Sequence, residues 1–161
     1  MAIGDIYPLE IAGLQQNGAK KANVAAAATT ILPGEPISWA LGAATVTAMA
    51  TNKPVVATDF LCGIATSTST QTASLAGTVD YFPIQPGVTY LIKPNSAAAF
   101  DTQAEYDALV GDRVLIDLTT GSYTILATDG ATSGCVIMPL DITKYPGRVA
   151  FQFRNGVSNL T

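Results

Sequence analysis

The sequence predicts an all-β fold, mainly an antiparallel β-barrel or sandwich, with one short α-helix and an extended N-terminal arm. Apolar and polar residues alternate over short stretches, as in GRVAFQFR, where Val149, Phe151 and Phe153 share one face. Pro-Gly pairs at 33–34, 86–87 and 146–147 separate such stretches. They fit type II turns, in which glycine accepts the positive φ. Short strands joined by frequent turns are typical of β-barrels and sandwiches.

Three further stretches show the same alternation. In PISWAL the shared face carries Ile37, Trp39 and Leu41, so the core is the default place for Trp39, although an interface anchor is also compatible. The segment LTTGSY predicts a tight hairpin with Gly121 in its turn. The remaining inward-facing residues are Val114, Ile116 and Leu118 in GDRVLIDL, and Val88, Tyr90 and Ile92 in GVTYLIKP.

One helix is predicted near residues 102–110. Thr102 and Glu105 have the spacing of a capping box, and Gly111 suits the position that follows the last helical turn. The inward-facing side chains are expected to be Ala104, Leu109 and Ala108.

The chain is expected to comprise two parts. Residues 1–22 lack both alternation and a helical stripe, and Pro8, Gly13 and Asn17-Gly18 interrupt them. Their isolated Ile and Leu residues favour an extended arm that becomes ordered on a neighbour. Residues 23–161 are expected to form a single β-barrel or sandwich domain, since 161 residues suffice for one core.

Composition excludes several classes of partner. Charged residues make up 12% of the chain and the net charge is −4. The basic residues are scattered, which disfavours nucleic acid, and no apolar run has the length of a membrane span. The N-terminus lacks the features of a signal peptide, so synthesis in the cytoplasm is expected. A surface with few charges suits a chain that is covered by copies of itself or by a larger body.

The sequence offers little chemistry. It contains no histidine, so neither a Ser-His-Asp triad nor a His-ligated metal site can form. Asp80 and Asp117 lie within strands with nothing to indicate that they face each other, and the three acids Asp101, Glu105 and Asp107 belong to the helix and its start. Cys62 and Cys135 are expected to be buried free thiols, although they could pair. We therefore expect no catalytic residue, no metal and no cofactor.

An enzymatic alternative is the dUTPase family, whose members are also β-rich chains of similar length and act as trimers. The stretch GDRVLIDLTTGSYTILATDG superficially resembles that family's Gly-x-Ile-Asp-x-Gly-Tyr motif through Asp117, Gly121 and Tyr123. The spacing differs, and the family's Gly-Arg-Ser-Ser phosphate motif is missing.

The stretch GIATSTSTQTASLAG consists almost entirely of small uncharged residues. It fits either a solvated linker or an edge strand and loop that pack flatly on a neighbouring subunit. Together with LPGEPISWALG, Phe60, Gly63-Ile64-Ala65 and the strand at Gly77-Thr78-Val79, it resembles the head decoration, or cement, proteins of tailed bacteriophages. The likeness covers most of residues 1–100 in style and order, and residues 101–161 go beyond the compact versions of that family.

The resemblance implies a non-enzymatic virion protein on the outer surface of the capsid. The resemblance to that family implies a trimeric β-barrel that occupies threefold and quasi-threefold positions of an expanded shell. The expected partners are therefore the major capsid protein and further copies of the chain. The alternatives are a tail-tube or minor virion protein that stacks in rings, and a carbohydrate-binding module. The expected capsid or subunit contacts are Ile3, Ile6, Tyr7, Leu9, Ile11, Leu14, Thr66, Thr68, Thr70 and Thr72.

Overall fold

The computed structural model describes residues 6–8, 19–39, 42–85, 87–119, 122–128, 130–155 and 157. These residues confirm the all-β prediction. They contain one short 3-10 turn, Ala97–Ala99, and one helix, α1, at Gln103–Leu109. The strands are β1 (Tyr7–Pro8), β2 (Lys20–Val24), β3 (Pro36–Trp39), β4 (Val46–Ala48), β5 (Leu61–Ala65), β6 (Gly77–Pro83), β7 (Tyr90–Pro94), β8 (Arg113–Val114), β9 (Ile116–Thr119), β10 (Ser122–Ile125), β11 (Cys135–Met138) and β12 (Val149–Phe153).

The first half of the chain forms a small closed barrel with the strand order β2-β4-β3-β5-β6. Its neighbours are antiparallel except β2 and β4, which pair in parallel through Val24 and Val46. Alternate residues of these strands point inward and bury a small core. That core consists of Ala22, Val24, Ile31, Ile37, Val46, Cys62, Ala65, Val79 and Tyr81.

The second half forms a seven-stranded sheet with the order β8-β11-β12-β7-β10-β9, and β1 lies beside β7. β8 and β9 are consecutive parts of one stretch of chain, separated only by Leu115. The two ends of the sheet order therefore meet, and the sheet curls around its own core. The largest fully buried side chains of this core include Tyr106, Tyr123, Phe151, Ile92 and Ile137.

β5 lies between the two cores. Ile37 of β3 pairs with Gly63, whereas Ser38 pairs with Leu61, so Cys62 is the extra residue of a β-bulge. Because of this extra residue, Leu61 and Ile64 face the larger core while Cys62 faces the barrel core. Both faces of β5 are consequently buried.

Helix α1 begins with the predicted capping box. The Thr102 hydroxyl accepts a hydrogen bond from the Glu105 N–H (3.3 Å), and the Thr102 N–H donates to the Glu105 carboxylate (3.2 Å). Gly111 follows the helix with φ of 94°, as its predicted position requires. Of the expected inward face, Leu109 packs against the larger core, whereas Ala104 and Ala108 are exposed and the buried residue of the helix is Tyr106.

The predicted turns are confirmed. Hydrogen bonds close them from Glu35 N–H to Leu32 O (3.2 Å), from Val88 N–H to Gln85 O (3.4 Å) and from Arg148 N–H to Tyr145 O (3.3 Å). The predicted hairpin is confirmed by the antiparallel pairing of β9 with β10; its turn residue Gly121 lies outside the described residues.

Two predicted core positions are exposed instead. Trp39 is 38% exposed at the end of β3, and Leu118 is 39% exposed near the end of β9. In both strands the predicted alternation of burial ends at this residue, because the half-buried neighbours Ser38 and Asp117 are better covered. Leu41 of the same predicted face lies outside the described residues. Both cysteines are buried and free.

The boundary between the predicted arm, residues 1–22, and the rest of the chain lies earlier in the structure. β2 begins at Lys20, so residues 20–22 belong to the barrel. The described residues form two hydrophobic core clusters, one in the barrel and one at the larger sheet. Among the described residues no helix is long and apolar enough to cross a membrane.

Removing the Tyr106 hydroxyl is expected to destabilise the protein by about 1–3 kcal/mol. This hydroxyl donates to Met138 O (2.9 Å) and accepts from the Ala150 N–H (2.9 Å), so Tyr106→Phe leaves two backbone groups of the sheet without this partner. Urea unfolding measures the change. Tyr145→Phe is the matched control because no described residue bonds that hydroxyl, and equal stability of the two variants would contradict the expectation.

The free energy of unfolding is expected to fall in alkaline solution. Burial raises the pKa of Tyr106 to about 12 and also raises the pKa of Tyr81 and Tyr90. The tyrosines of the unfolded chain therefore lose their protons first, near pH 10. From that pH up to its folded-state pKa, each of these groups lowers the free energy of unfolding by about 1.4 kcal/mol per pH unit. Burial also raises the pKa of Cys62 and Cys135, so the decline begins near pH 9.

Urea unfolding at a series of pH values checks this decline. Tyr106→Phe should lose stability less steeply above pH 10 than Tyr145→Phe, because it lacks one of the raised groups. A constant free energy of unfolding across that range would contradict the assignment.

Candidate interaction surface

The most distinctive surface extends from one end of the barrel and consists of residues 25–30 and 66–76, here called the uncharged cap. Every residue of 25–30 is exposed, as are Thr66, Thr68, Thr70 and residues 72–76. The flanking stretches 22–34 and 63–79 contain no ionisable side chain. The cap is therefore a continuous surface without charge on a chain whose net charge is −4.

Hydrogen bonds join the two halves of the cap. The Ala27 N–H donates to Thr72 O (3.0 Å), and the Gln71 side-chain amide donates to Thr29 O (2.7 Å). Ser69 exchanges bonds with Ile31, whose N–H donates to the serine hydroxyl (2.7 Å). The segment 27–31 thus runs beside 69–72.

The opposite side of the same segment is bonded to β6. The Thr66 N–H donates to Asp80 O (2.8 Å), and the Asp80 N–H donates to the Ser67 hydroxyl (3.0 Å). The Thr70 N–H donates to Thr78 O (3.0 Å), and the Thr78 N–H donates to the Thr70 hydroxyl (3.0 Å). The segment is therefore not a solvated linker, because residues 66–70 are hydrogen-bonded to β6 and residues 69–72 are hydrogen-bonded to the segment 27–31.

The four predicted threonine contacts share one face. Thr66, Thr68, Thr70 and Thr72 are exposed, whereas Ser69 and Gln71 between them are 5% and 4% exposed. Residues two apart in an extended segment lie about 7 Å from each other, so the threonines form a regular row. Among the described residues, no hydrogen bond involves the side chains of Thr66 and Thr68.

Two features shape the tip of the cap. Leu75 is 65% exposed in the turn closed by the Thr72 N–H and Leu75 O (2.9 Å). Gly77 brings the cap close to β6, because a Cβ at this position would lie 2.2 Å from the Gln71 nitrogen. An exposed leucine among small residues is a suitable anchor for close contact with another protein surface.

The N-terminal contact residues are placed differently from the expectation. Ile6 is 2% exposed and belongs to the larger core, because Tyr7 and Pro8 pair with Leu91 and Tyr90 of β7. Ile6 therefore contacts the chain's own sheet. The predicted contacts Ile3, Leu9, Ile11 and Leu14 lie outside the described residues.

The two acidic residues within strands, Asp80 and Asp117, lie on different sheets, and each has a partner of its own. Asp80 on β6 lies 3.8 Å from the Lys21 ammonium, and Asp117 on β9 accepts hydrogen bonds from Thr51 and from the Asn95 amide (3.0 Å). Among the described residues, no group of three Cys, Asp or Glu side chains is arranged to hold a metal ion.

The remaining shifted groups are also explained by local structure. A hydrogen bond between the side chains of Asp101 and Glu105 raises the pKa of Asp101 and lowers that of Glu105 at the start of α1. Desolvation raises the pKa of Cys62, against a smaller lowering by its hydrogen bond to Tyr81. These shifts accompany a helix cap and a buried core, not a cleft with opposed acid and base.

Sequence reasoning missed the half of the cap at residues 25–30. The structure places this run, AAAATT, in bends and unpaired backbone after β2. The absence of any alternation between apolar and polar residues in this run was the available signal. No protein-family model, curated protein or solved structure matches the chain, so the cap is assigned from its own geometry.

Gly77→Ala is expected to displace the cap and to destabilise the protein by about 1–3 kcal/mol. The new Cβ would meet the backbone of Gln71 and Thr70, at 2.2 Å and 2.5 Å, and backbone cannot rotate away as a flexible side chain can. Hydrogen exchange should show faster exchange at Thr70 and Thr78, while the β7–β12 amides keep their protection. Ser74→Ala, an exposed change in the same loop, is the control and should shift stability by less than about 0.5 kcal/mol. Unchanged exchange in Gly77→Ala would contradict this role of the glycine.

Proposed function

We propose that the protein is a non-enzymatic structural component of a tailed-phage virion that decorates and stabilises the outer surface of the expanded capsid as a homotrimer. The observation that carries this proposal is the uncharged cap. Hydrogen bonds join its two halves and attach residues 66–70 to β6, and its exposed side chains are small except for Leu75. Such a surface suits packing against another protein and offers no group for catalysis.

The cap serves best as the contact between copies of the chain. Interface centres are depleted in charge, and small side chains permit close approach of two backbones. Copies that each carry a net charge of −4 repel one another. A contact face without charges brings no like charges close together, so this repulsion is weakest there. The N-terminal segment then contacts the coat through the predicted residues other than Ile6, which is buried in the larger core.

Decoration stabilises a shell by mass action. A protein that binds only the mature shell stabilises that state by its binding free energy, and three linked copies increase the occupancy through avidity. Modest contacts at each position are sufficient when they recur over a whole particle. The fold needs no catalytic site for this role.

The location of the protein in the cell lysate tests the proposal directly. A lysate in which the chain is naturally made is separated on a density gradient, and the chain is quantified by mass spectrometry in each fraction. The proposal expects it in intact particles at an abundance similar to that of the major coat protein. Particles that contain far fewer copies would favour the ring-stacking tail or minor component instead, and a chain found only outside particles would refute a virion role.

Thr66→Lys with Thr68→Lys is expected to convert the trimer into monomers without changing the fold. Neither side chain hydrogen-bonds a described residue and both are exposed, so stability should change by less than about 0.5 kcal/mol. In a trimer the added charges of all copies would converge at the contact. Sedimentation velocity measures the oligomeric state, and urea unfolding measures stability.

The matched control adds the same charge elsewhere. Thr47 on β4 and Thr132 near β11 are also exposed, and the variant Thr47→Lys with Thr132→Lys should remain trimeric. Dissociation of both variants would indicate a general charge effect. A cap variant that stays trimeric would show that the subunits meet at another surface.

A further inference from the structure

A polar groove lies on the larger sheet, away from the strands that carry the uncharged cap. It encloses about 500 Å³ and is lined by Gly87, Val136, Gln152, Phe153, Arg154 and Asn155. Gln152 lies near the end of β12 and Arg154 directly follows that strand, and both line the groove while Phe151 and Phe153 are buried. Of the lining residues only Arg154 is charged.

Arg154 is held in one orientation by backbone carbonyls. Its Nη1 donates to Ser133 O (2.7 Å) and to Ala131 O (3.2 Å), which occupies both hydrogens of that nitrogen. No described residue accepts a hydrogen bond from Nε or Nη2. Because the guanidinium is planar, these two nitrogens present parallel N–H groups, the arrangement that binds a carboxylate through two hydrogen bonds.

Gln152 is oriented by its own amide nitrogen. Its Nε2 donates to the Thr89 hydroxyl (3.0 Å) and to Gly87 O (3.2 Å). Its carbonyl oxygen accepts no hydrogen bond from a described residue, so it is available to a donor on a ligand. The groove therefore combines a two-point carboxylate donor with a hydrogen-bond acceptor on the next outward-facing residue, about 7 Å along the strand.

From this arrangement we infer that the groove binds an acidic sugar, whose carboxylate pairs with Arg154 and whose hydroxyl donates to Gln152. A phosphate dianion has no proton to donate to the Gln152 oxygen, whereas a sugar acid carries hydroxyls beside its carboxylate. Exposed Asn155 supplies a further donor and acceptor at the rim. This binding activity is separate from decoration of a shell and does not depend on the trimer.

Titration of the isolated full-length chain with glucuronate, followed by amide chemical shifts, tests the inference. Shifts should appear at residues 87, 136 and 152–155 and should saturate with a dissociation constant in the millimolar range, as expected for one small ligand with few contacts. Glucose lacks the carboxylate and acetate lacks the hydroxyls, so both should bind at least about tenfold more weakly. Glucose or acetate binding as tightly as glucuronate would overturn the inference, as would the absence of shifts with glucuronate.

Two variants identify the groups involved. Arg154→Lys keeps the charge but removes the forked donor, and it should weaken glucuronate binding at least about tenfold. Because this change also removes the bonds to Ala131 and Ser133, Asn155→Asp provides an independent test that leaves those bonds in place. It sets a negative charge at the rim and should weaken binding several-fold, whereas Asn23→Asp, the same change at an exposed position of β2, should not. Equal affinity of Asn155→Asp and Asn23→Asp would refute the site.

Discussion

The burial of both faces of β5 is the constraint on which the rest of the structure depends. Leu61 and Ile64 enter the larger core, Cys62 enters the barrel core, and the bulge at Cys62 makes this division possible. Gly63 is required next to the bulge, because a Cβ there would lie 2.1 Å from Phe82 O on β6. One short strand therefore joins two hydrophobic cores that would otherwise each have an open side.

The position of the cap follows from the same strand. Residues 66–70 continue directly from β5 and keep its hydrogen bonding to β6, so the direction of β5 determines where the cap projects. The other end of β5 is bonded to the chain segment that follows β12, since the Leu61 N–H donates to Val157 O (2.7 Å). Lys53 adds a second connection through reciprocal hydrogen bonds with Ile116, of 2.6 Å and 3.1 Å. Backbone hydrogen bonds thus connect β5 with the cap at one end and with the segment after β12 at the other, and a separate pair of bonds connects Lys53 with β9.

Local signals in the sequence predicted the local structure well. The Pro-Gly turns, the capping box of Thr102 and Glu105 and the alternation of β12 depend on neighbouring residues alone, so they could be recognised without knowledge of the fold. The burial of Tyr106 in α1 could not be recognised in this way, because its hydroxyl is hydrogen-bonded to the carbonyl of Met138 and the N–H of Ala150, which are distant in the sequence. Likewise, nothing in LCGIA reveals two separate cores, because an all-apolar strand has no alternation to interpret. The composition of residues 66–72 predicted a contact face of threonines. It could not predict that residues 25–30 lie beside this face, because only hydrogen bonds between distant parts of the chain bring the two segments together.

Charge is distributed so that the two candidate surfaces have opposite characters. The cap contains no ionisable group, whereas the groove is built around one guanidinium whose orientation is fixed. At physiological salt the field of a surface charge is largely screened beyond about 8 Å, so the net negative charge of the chain does not prevent an acid from binding beside Arg154. The same screening leaves short-range repulsion as the main electrostatic obstacle between copies, and a contact face without charges removes that obstacle. A chain with few charges can therefore support close self-association at one surface and selective anion binding at another, because each property depends on the groups within a few ångströms of the contact.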